Sequence, residues 1–147
     1  MRLSNVFTRE LIKLDLEGKT KNEVFKELVG TIAGLYPEYG REEMLDAVLA
    51  RENQMNTAVL PGIAVPHGYC SAVGGIIGAA GFSRTGIEYG SSRPVHSVFL
   101  LLLDNFSRER HLQVLSCLLR LFNSEFLAMI GAAKSPQEVY DILYRFR

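Results

Sequence analysis

Neither sign of charge is in excess in this sequence: 16 Lys and Arg stand against 16 Asp and Glu over 147 residues. The missing basic surplus argues against nucleic acid as the main partner, because proteins that bind it gather Lys and Arg on one face. Cysteine is scarce as well. Cys70 and Cys117 stand far apart, with no CxxC and no Cys/His cluster. Neither a disulfide framework nor a structural zinc is expected, which leaves two reduced thiols acting as small apolar residues. Long apolar runs are missing too: residues 98–103, the most apolar stretch, fall well short of the roughly 20 residues that cross a bilayer. The N-terminus lacks the apolar core of a secretory signal, so the protein is expected in the cytoplasm without membrane insertion. There is no Walker A sequence, no GxSxG elbow and no HExxH. Gly78-Ala79-Ala80-Gly81 lies inside a strand-like run, a poor fit to a dinucleotide fingerprint. No cofactor is expected, and any phosphate handled here must arrive already activated on another molecule.

What is present is enough for one folded domain over residues 1–147. Hydrophobic residues make up 48% of the chain and charged ones 22%, which excludes disorder as the main state and allows a true core. Thr20-Lys21-Asn22-Glu23 is a capping-box start, followed by Val24, Phe25, Leu28, Val29, Ile32 and Leu35 on one helical stripe. Pro37 ends that helix, because it disfavours helical geometry at Tyr36. A second helix is predicted over 41–52, with Met44, Leu45, Val48 and Leu49 inward and Arg51 and Glu52 at its end.

The middle of the chain reads as strands. Residues 56–60 and 63–65 are short apolar runs split by Pro61-Gly62; residues 74–82 are small and glycine-rich; residues 94–103 resemble a central strand buried on both faces. Helices return after Ser107, with Leu112, Leu115, Leu118, Leu119 and Phe122 in period, then over 124–130. A last helix begins at Ser135-Pro136-Gln137-Glu138 and carries Val139, Ile142, Leu143 and Phe146. This αα–βββ–αα order predicts an α/β (α+β) fold, a mixed central sheet with helices on both faces.

Three histidines compete for chemistry. His96 starts the apolar run and reads as structural or simply exposed. His67 sits in Pro61-Gly62-Ile63-Ala64-Val65-Pro66-His67-Gly68, at the end of a short strand held by two prolines, with two glycines allowing tight turns. A neutral imidazole held in one orientation can act as nucleophile or base near neutral pH. His111 falls in the first turn of the helix after Ser107. It reads either as a half-buried core histidine or as a second imidazole at an anion site. Arg51 reads either as a cation favoured at a helix C-terminus or as a guanidinium reaching a phosphate. A hydrolase-like or metal site built on His67 and His111 would lack a third ligand or a carboxylate at matching spacing.

Arg51-Glu52, Thr57 and Gly62-Ile63-Ala64-Val65-Pro66-His67-Gly68, with His111-Leu112 opening one helix and Ser135-Pro136-Gln137-Glu138 opening another, resemble the fructose/mannitol-type EIIA domains of the bacterial phosphotransferase system. The likeness spans essentially the whole chain, and nitrogen-regulatory EIIA proteins share it. The resemblance implies that His67 takes a phosphoryl group from an HPr-type phosphocarrier protein. It also implies that His111 is the second histidine near it and that Arg51 assists with the phosphate. EIIB or regulatory target proteins are the implied further partners. The chain has the length of a free-standing domain, which favours a nitrogen-regulatory type; sugar-specific uptake of the fructose/mannitol class, or a regulatory binding protein that does not transfer, are the alternatives. Three segments depart from the family pattern: Ala58-Val59-Leu60-Pro61 replaces Gly-Ile-Gly-x, residues 88–93 are shorter, and Asp104 stands where a proline often follows the long strand.

Overall fold

The computed structural model describes residues 2–145. The chain begins with a one-turn helix, α1 (Leu3–Val6), and a two-residue strand, β1 (Ile12–Lys13). Neither was predicted, because elements this short leave no periodicity to read. The capping box then forms as expected: the Glu23 amide donates to Thr20 Oγ1, and Glu23 Oε1 accepts from the Thr20 amide at 3.1 Å. It starts α2 (Lys21–Leu35), which stops before Pro37 and is followed by α3 (Arg41–Glu52), as predicted. Val24, Phe25, Leu28, Val29 and Ile32 are buried, whereas Leu35 turns out to be exposed at the helix end.

Four strands follow: β2 (Ile63–Ala64), β3 (His67–Tyr69), β4 (Ile76–Ile87) and β5 (Val95–Leu103). They join β1 in one mixed sheet of order β1-β4-β5-β2, with β3 also paired to β5. The central strand is β5, and every residue from Ser97 to Leu103 is buried. It runs antiparallel to β4, with Ala80 opposite Phe99, and parallel to β2 and β3, with Ile63 opposite Ser97 and His67 opposite Leu101. So β2 and β3 are two pieces of one strand path along a single edge of β5. Pro66, which has no N–H to give, marks the break. Two expectations are corrected here. His67 opens a strand rather than ending one, and β4 runs on past Phe82 to Ile87 through an irregularity between those residues. Residues 56–60 are not a strand. The Thr57 amide and hydroxyl are held by Glu52, and the Ala58 amide by Asn56 Oδ1, so side chains take the bonds a ladder would need.

Three helices close the chain: α4 (Arg108–Leu121), α5 (Ser124–Ala132) and α6 (Pro136–Arg145). Ser135 caps α6 as predicted, its hydroxyl accepting the Glu138 amide. Phe146 lies outside the described residues. The inward face of α4 is His111, Val114, Leu118 and Leu121. Leu112 and Leu119 face solvent instead, Leu112 at 68% exposure; the abundance of leucine obscured which stripe was the buried one. Alternation along β5 builds two cores. Phe99, Leu101 and Leu103 meet α1 and α4–α6 on one side, and Val98, Leu100 and Leu102 meet α2 and α3 on the other. The architecture is the predicted mixed sheet between two helical layers. Among the described residues, no single helix is long and apolar enough to cross a membrane.

Candidate functional site

Gly68 sets the position of the candidate site. A Cβ placed there would lie 2.5 Å from the Ala47 carbonyl carbon and 2.7 Å from the Val48 nitrogen. Only a glycine lets the backbone of α3 approach β3 this closely. The approach lays the last turn of α3, with Arg51 and Glu52, alongside His67.

The break between β2 and β3 orients the imidazole. Pro66 contributes its carbonyl to the Leu101 amide, and the Val65 carbonyl is left to His67 Nδ1 at 3.0 Å. A carbonyl only accepts, so Nδ1 carries the proton and Nε2 keeps its lone pair in the neutral ring. Burial pushes the pKa of His67 below its ordinary value of 6.5. The Val65 carbonyl works against that shift, the Arg51 charge adds to it, and the Glu52 charge opposes it. The result is a neutral imidazole near pH 7 with a free nucleophilic nitrogen.

Arg51 donates from Nη1 to the Met55 carbonyl at 2.9 Å and makes no ion pair among the described residues. Its charge, close enough to act on His67, remains available to an anion. Glu52, only 7% exposed, does the structural work beside it. Its Oε1 accepts the Thr57 hydroxyl at 2.6 Å, and Oε2 accepts the Thr57 amide at 2.9 Å and Lys21 Nζ at 3.2 Å. The Tyr89 hydroxyl completes the cluster, 2.7 Å from Thr57 Oγ1, and burial keeps that phenol neutral. This network ties the end of α3 to the loop that leads into Gly62 and His67.

His111 is the fourth residue of α4 and is 2% exposed. Its Nε2 donates to Asp104 Oδ1 at 3.1 Å. Asp104 also accepts the Phe106 amide on Oδ1 and the Gly75 amide on Oδ2, each at 3.1 Å. The Phe106 amide, helped by His111, holds this carboxyl below the usual aspartate range. His111 Nδ1 is buried with no partner among the described residues. The ring packs against Tyr69, with centroids 5.3 Å apart, and Tyr69 lies two residues beyond His67 on the same face of β3. No hydrogen bond or ring contact joins His67 and His111 directly among the described residues. The structure therefore couples Arg51 to His67 by charge and brings His111 to the same strand through Tyr69. His96 is exposed, with Nδ1 on the Ser83 carbonyl at 2.8 Å.

Two groups were missed as parts of the site. Asp104 figured only as a departure from a family pattern, yet it fixes the tautomer of His111. Tyr89 gave no sequence signal, because its partners are 32 and 37 residues away. Among the described residues no group of three or more His, Cys, Asp or Glu is placed to hold a metal ion.

The profile of the family "Phosphoenolpyruvate-dependent sugar phosphotransferase system, EIIA 2" matches residues 5–146. The fructose-specific EIIABC component of Bacillus subtilis is 31% identical over 146 residues, 97% of this chain. The chain spans only 23% of that longer protein. Among solved structures, nitrogen regulatory protein IIA-Ntr from Neisseria meningitidis superposes with a TM-score of 0.88 at 26% identity, covering 96% of this chain and 98% of its own. The Escherichia coli complex of enzyme IIA-mannitol with phosphorylated enzyme IIB-mannitol shares the fold, with a TM-score of 0.78 at 21% identity over 93% of this chain and 97% of its own. With a family match that runs nearly end to end and a fold to agree with it, the chain belongs to the EIIA 2 family of the phosphotransferase system.

Proposed function

We propose that the protein is a cytoplasmic phosphoryl carrier that accepts phosphate on His67 Nε2 from an HPr-type donor. The observation that carries this reading is the 3.0 Å bond from His67 Nδ1 to the Val65 carbonyl, which reserves Nε2 for attack. The Nε2 lone pair forms a bond to phosphorus as the donor's P–N bond breaks, and the leaving nitrogen keeps the electron pair of that bond. The Nδ1 proton stays on the ring, donated to the Val65 carbonyl, whose oxygen offsets the positive charge that develops on the imidazole. Donor and product are both phosphoramidates, so the step is close to balanced and rests on positioning and charge stabilisation. Arg51, unpaired beside His67, supplies positive charge for the phosphoryl oxygens. His111 supports the same face through Tyr69.

The close structural likeness to a nitrogen regulatory protein favours a signalling role, in which phospho-His67 changes the charge that a target protein reads. The fructose-specific relative supports the second reading, transfer onward to an EIIB for sugar uptake. Incubation with phosphorylated HPr-type protein is expected to give one acid-labile label per chain, absent in His67→Ala. Full labelling of that variant would overturn the assignment. Chase of the label onto an added EIIB would select uptake over signalling.

A further inference from the structure

A cavity of about 350 Å³ opens at the opposite end of the sheet from His67. Its size is within the roughly 300–1,000 Å³ of small-molecule sites. Phe82, Leu14, Leu127 and Ile130 supply apolar walls, and Arg84 and Ser97 stand among them. Ser97 lies opposite Ile63 of β2, whereas His67 lies opposite Leu101. The four-residue separation puts the two sites on the order of 13 Å apart along β5.

Two polar groups line this cavity without a partner in the fold. Ser97 is 91% buried, yet its hydroxyl has no hydrogen-bond partner among the described residues, and it lines the cavity on the face of the sheet that carries Phe82. A hydroxyl that makes no bond within the fold and opens on the cavity is free to donate to a guest there. Arg84, exposed at the rim, makes no ion pair or hydrogen bond among the described residues, and no carboxylate lines the cavity. A cation with no acid beside it, a free hydroxyl and an apolar floor together describe one kind of guest.

We propose that this cavity binds a small organic monocarboxylate with a short aliphatic tail. The carboxylate meets the Arg84 guanidinium and accepts from the Ser97 hydroxyl, and the tail lies against Phe82, Leu127 and Ile130. Gly62 forms part of the wall, and its carbonyl accepts the His96 and Ser97 amides at 2.8 and 3.1 Å. Three residues on, Val65 holds the His67 ring. Occupancy of the cavity therefore acts on the segment that orients His67. Binding stands independently of the phosphoryl-carrier reading; only the regulatory use of it rests on that reading.

The test is a titration of the unphosphorylated full chain with 4-methylpentanoate, followed by amide proton–nitrogen correlation spectra at fixed pH and salt. Saturable shifts are expected at Gly62, Arg84, Ser97 and Ile130, with a smaller one at His67. Arg84→Gln is expected to weaken binding about tenfold and Ser97→Ala about threefold, as for a charge-assisted and a neutral hydrogen bond. Both side chains make no bond in the fold, and each variant's spectrum reports whether it remains folded. Neutral 4-methylpentanamide and tail-less acetate are each expected to bind about tenfold more weakly. The proposal is overturned by no saturable shift up to about 20 mM, by equal binding of the amide, by an unchanged affinity in Arg84→Gln, or by shifts confined to Arg51 and His67. Binding without the His67 shift would retain the site and remove its link to the phosphoryl carrier.

Discussion

Replacing Gly68 with alanine tests the packing on which the candidate site depends. The new Cβ would sit 2.5 Å from the Ala47 carbonyl carbon, against an ordinary contact distance of 3.4 Å or more, a deficit of 0.9 Å (3.4 minus 2.5). The atoms it meets belong to the backbone of α3, so no side chain can swing away. Either α3 retreats from β3 or β3 bends out of its pairing with β5. Overpacking of this kind costs about 1–3 kcal/mol. At about 2–4 °C per kcal/mol for a domain of this size, the melting temperature falls by several degrees. The retreat also carries Arg51 away from His67 and lets water in. Both changes raise the pKa of His67 toward 6.5, since burial and the Arg51 charge are what depress it. Urea unfolding gives the first quantity, and a proton NMR titration of the His67 ring gives the second. Gly131→Ala is the control: its Cβ meets nothing within 4 Å, and replacing a helical glycine is expected to be neutral or stabilising by up to about 1 kcal/mol. A Gly68→Ala protein as stable as its parent, with an unmoved His67 titration, would refute the claim that this approach builds the site.

Thr57→Val keeps the shape of the side chain but removes the hydroxyl that Glu52 and Tyr89 share. It is expected to cost about 1.5–3 kcal/mol in chemical denaturation, as a lost hydrogen bond to a buried charge, and a loss under 0.5 kcal/mol would exclude a structural role for the network. The depressed pKa of His67 has a definite sign in stability. The unfolded chain takes up the proton first as pH falls, so the stability present above pH 6.5 declines as pH drops through the folded pKa. Denaturation midpoints measured from about pH 7.5 to pH 5 are expected to fall less steeply in His67→Gln, and identical slopes would contradict the shift. Asp104→Ala removes the acceptor of His111 Nε2–H. Nitrogen NMR of the ring is expected to show the parent in that tautomer alone and the variant as a mixture; an unchanged tautomer would mean that Asp104 does not set it.

Much of the fold was legible because its signals are local. Thr20 and Glu23 interact within one helical turn, Pro37 acts on Tyr36, and Ser135 acts on Glu138, so short stretches of sequence carried those boundaries. The unbroken apolar run of β5 marked a strand covered on both faces. The errors arose where side-chain hydrogen bonds or the placement of the sheet decided the outcome. Residues 56–60 have the composition of a strand, but Glu52 competes for the Thr57 amide and wins. On α4, Leu112 and Leu119 match the helical period as well as Val114 and Leu121 do, and only the position of the sheet selects between those faces. Asp104 acquires its meaning only once the turn into α4 sets it against His111, and Tyr89 only once the sheet brings it to Glu52 and Thr57.

Composition and motif by themselves determined most of the longer elements, the two-sided burial of β5 and the family likeness carried by residues 62–68. They also singled out His67, because restrained prolines and glycines around one imidazole are visible in one dimension. Which nitrogen of His67 is free was decided by the tertiary structure. The break at Pro66 leaves the Val65 carbonyl to Nδ1, and the close passage of α3 over Gly68 brings the Arg51 charge to bear on the ring. The proton position depends on a neighbouring carbonyl that is left free because Pro66 gives its own carbonyl to Leu101, and the pKa depends on how closely α3 packs on β3. Both are set only once the sheet and its helices have packed.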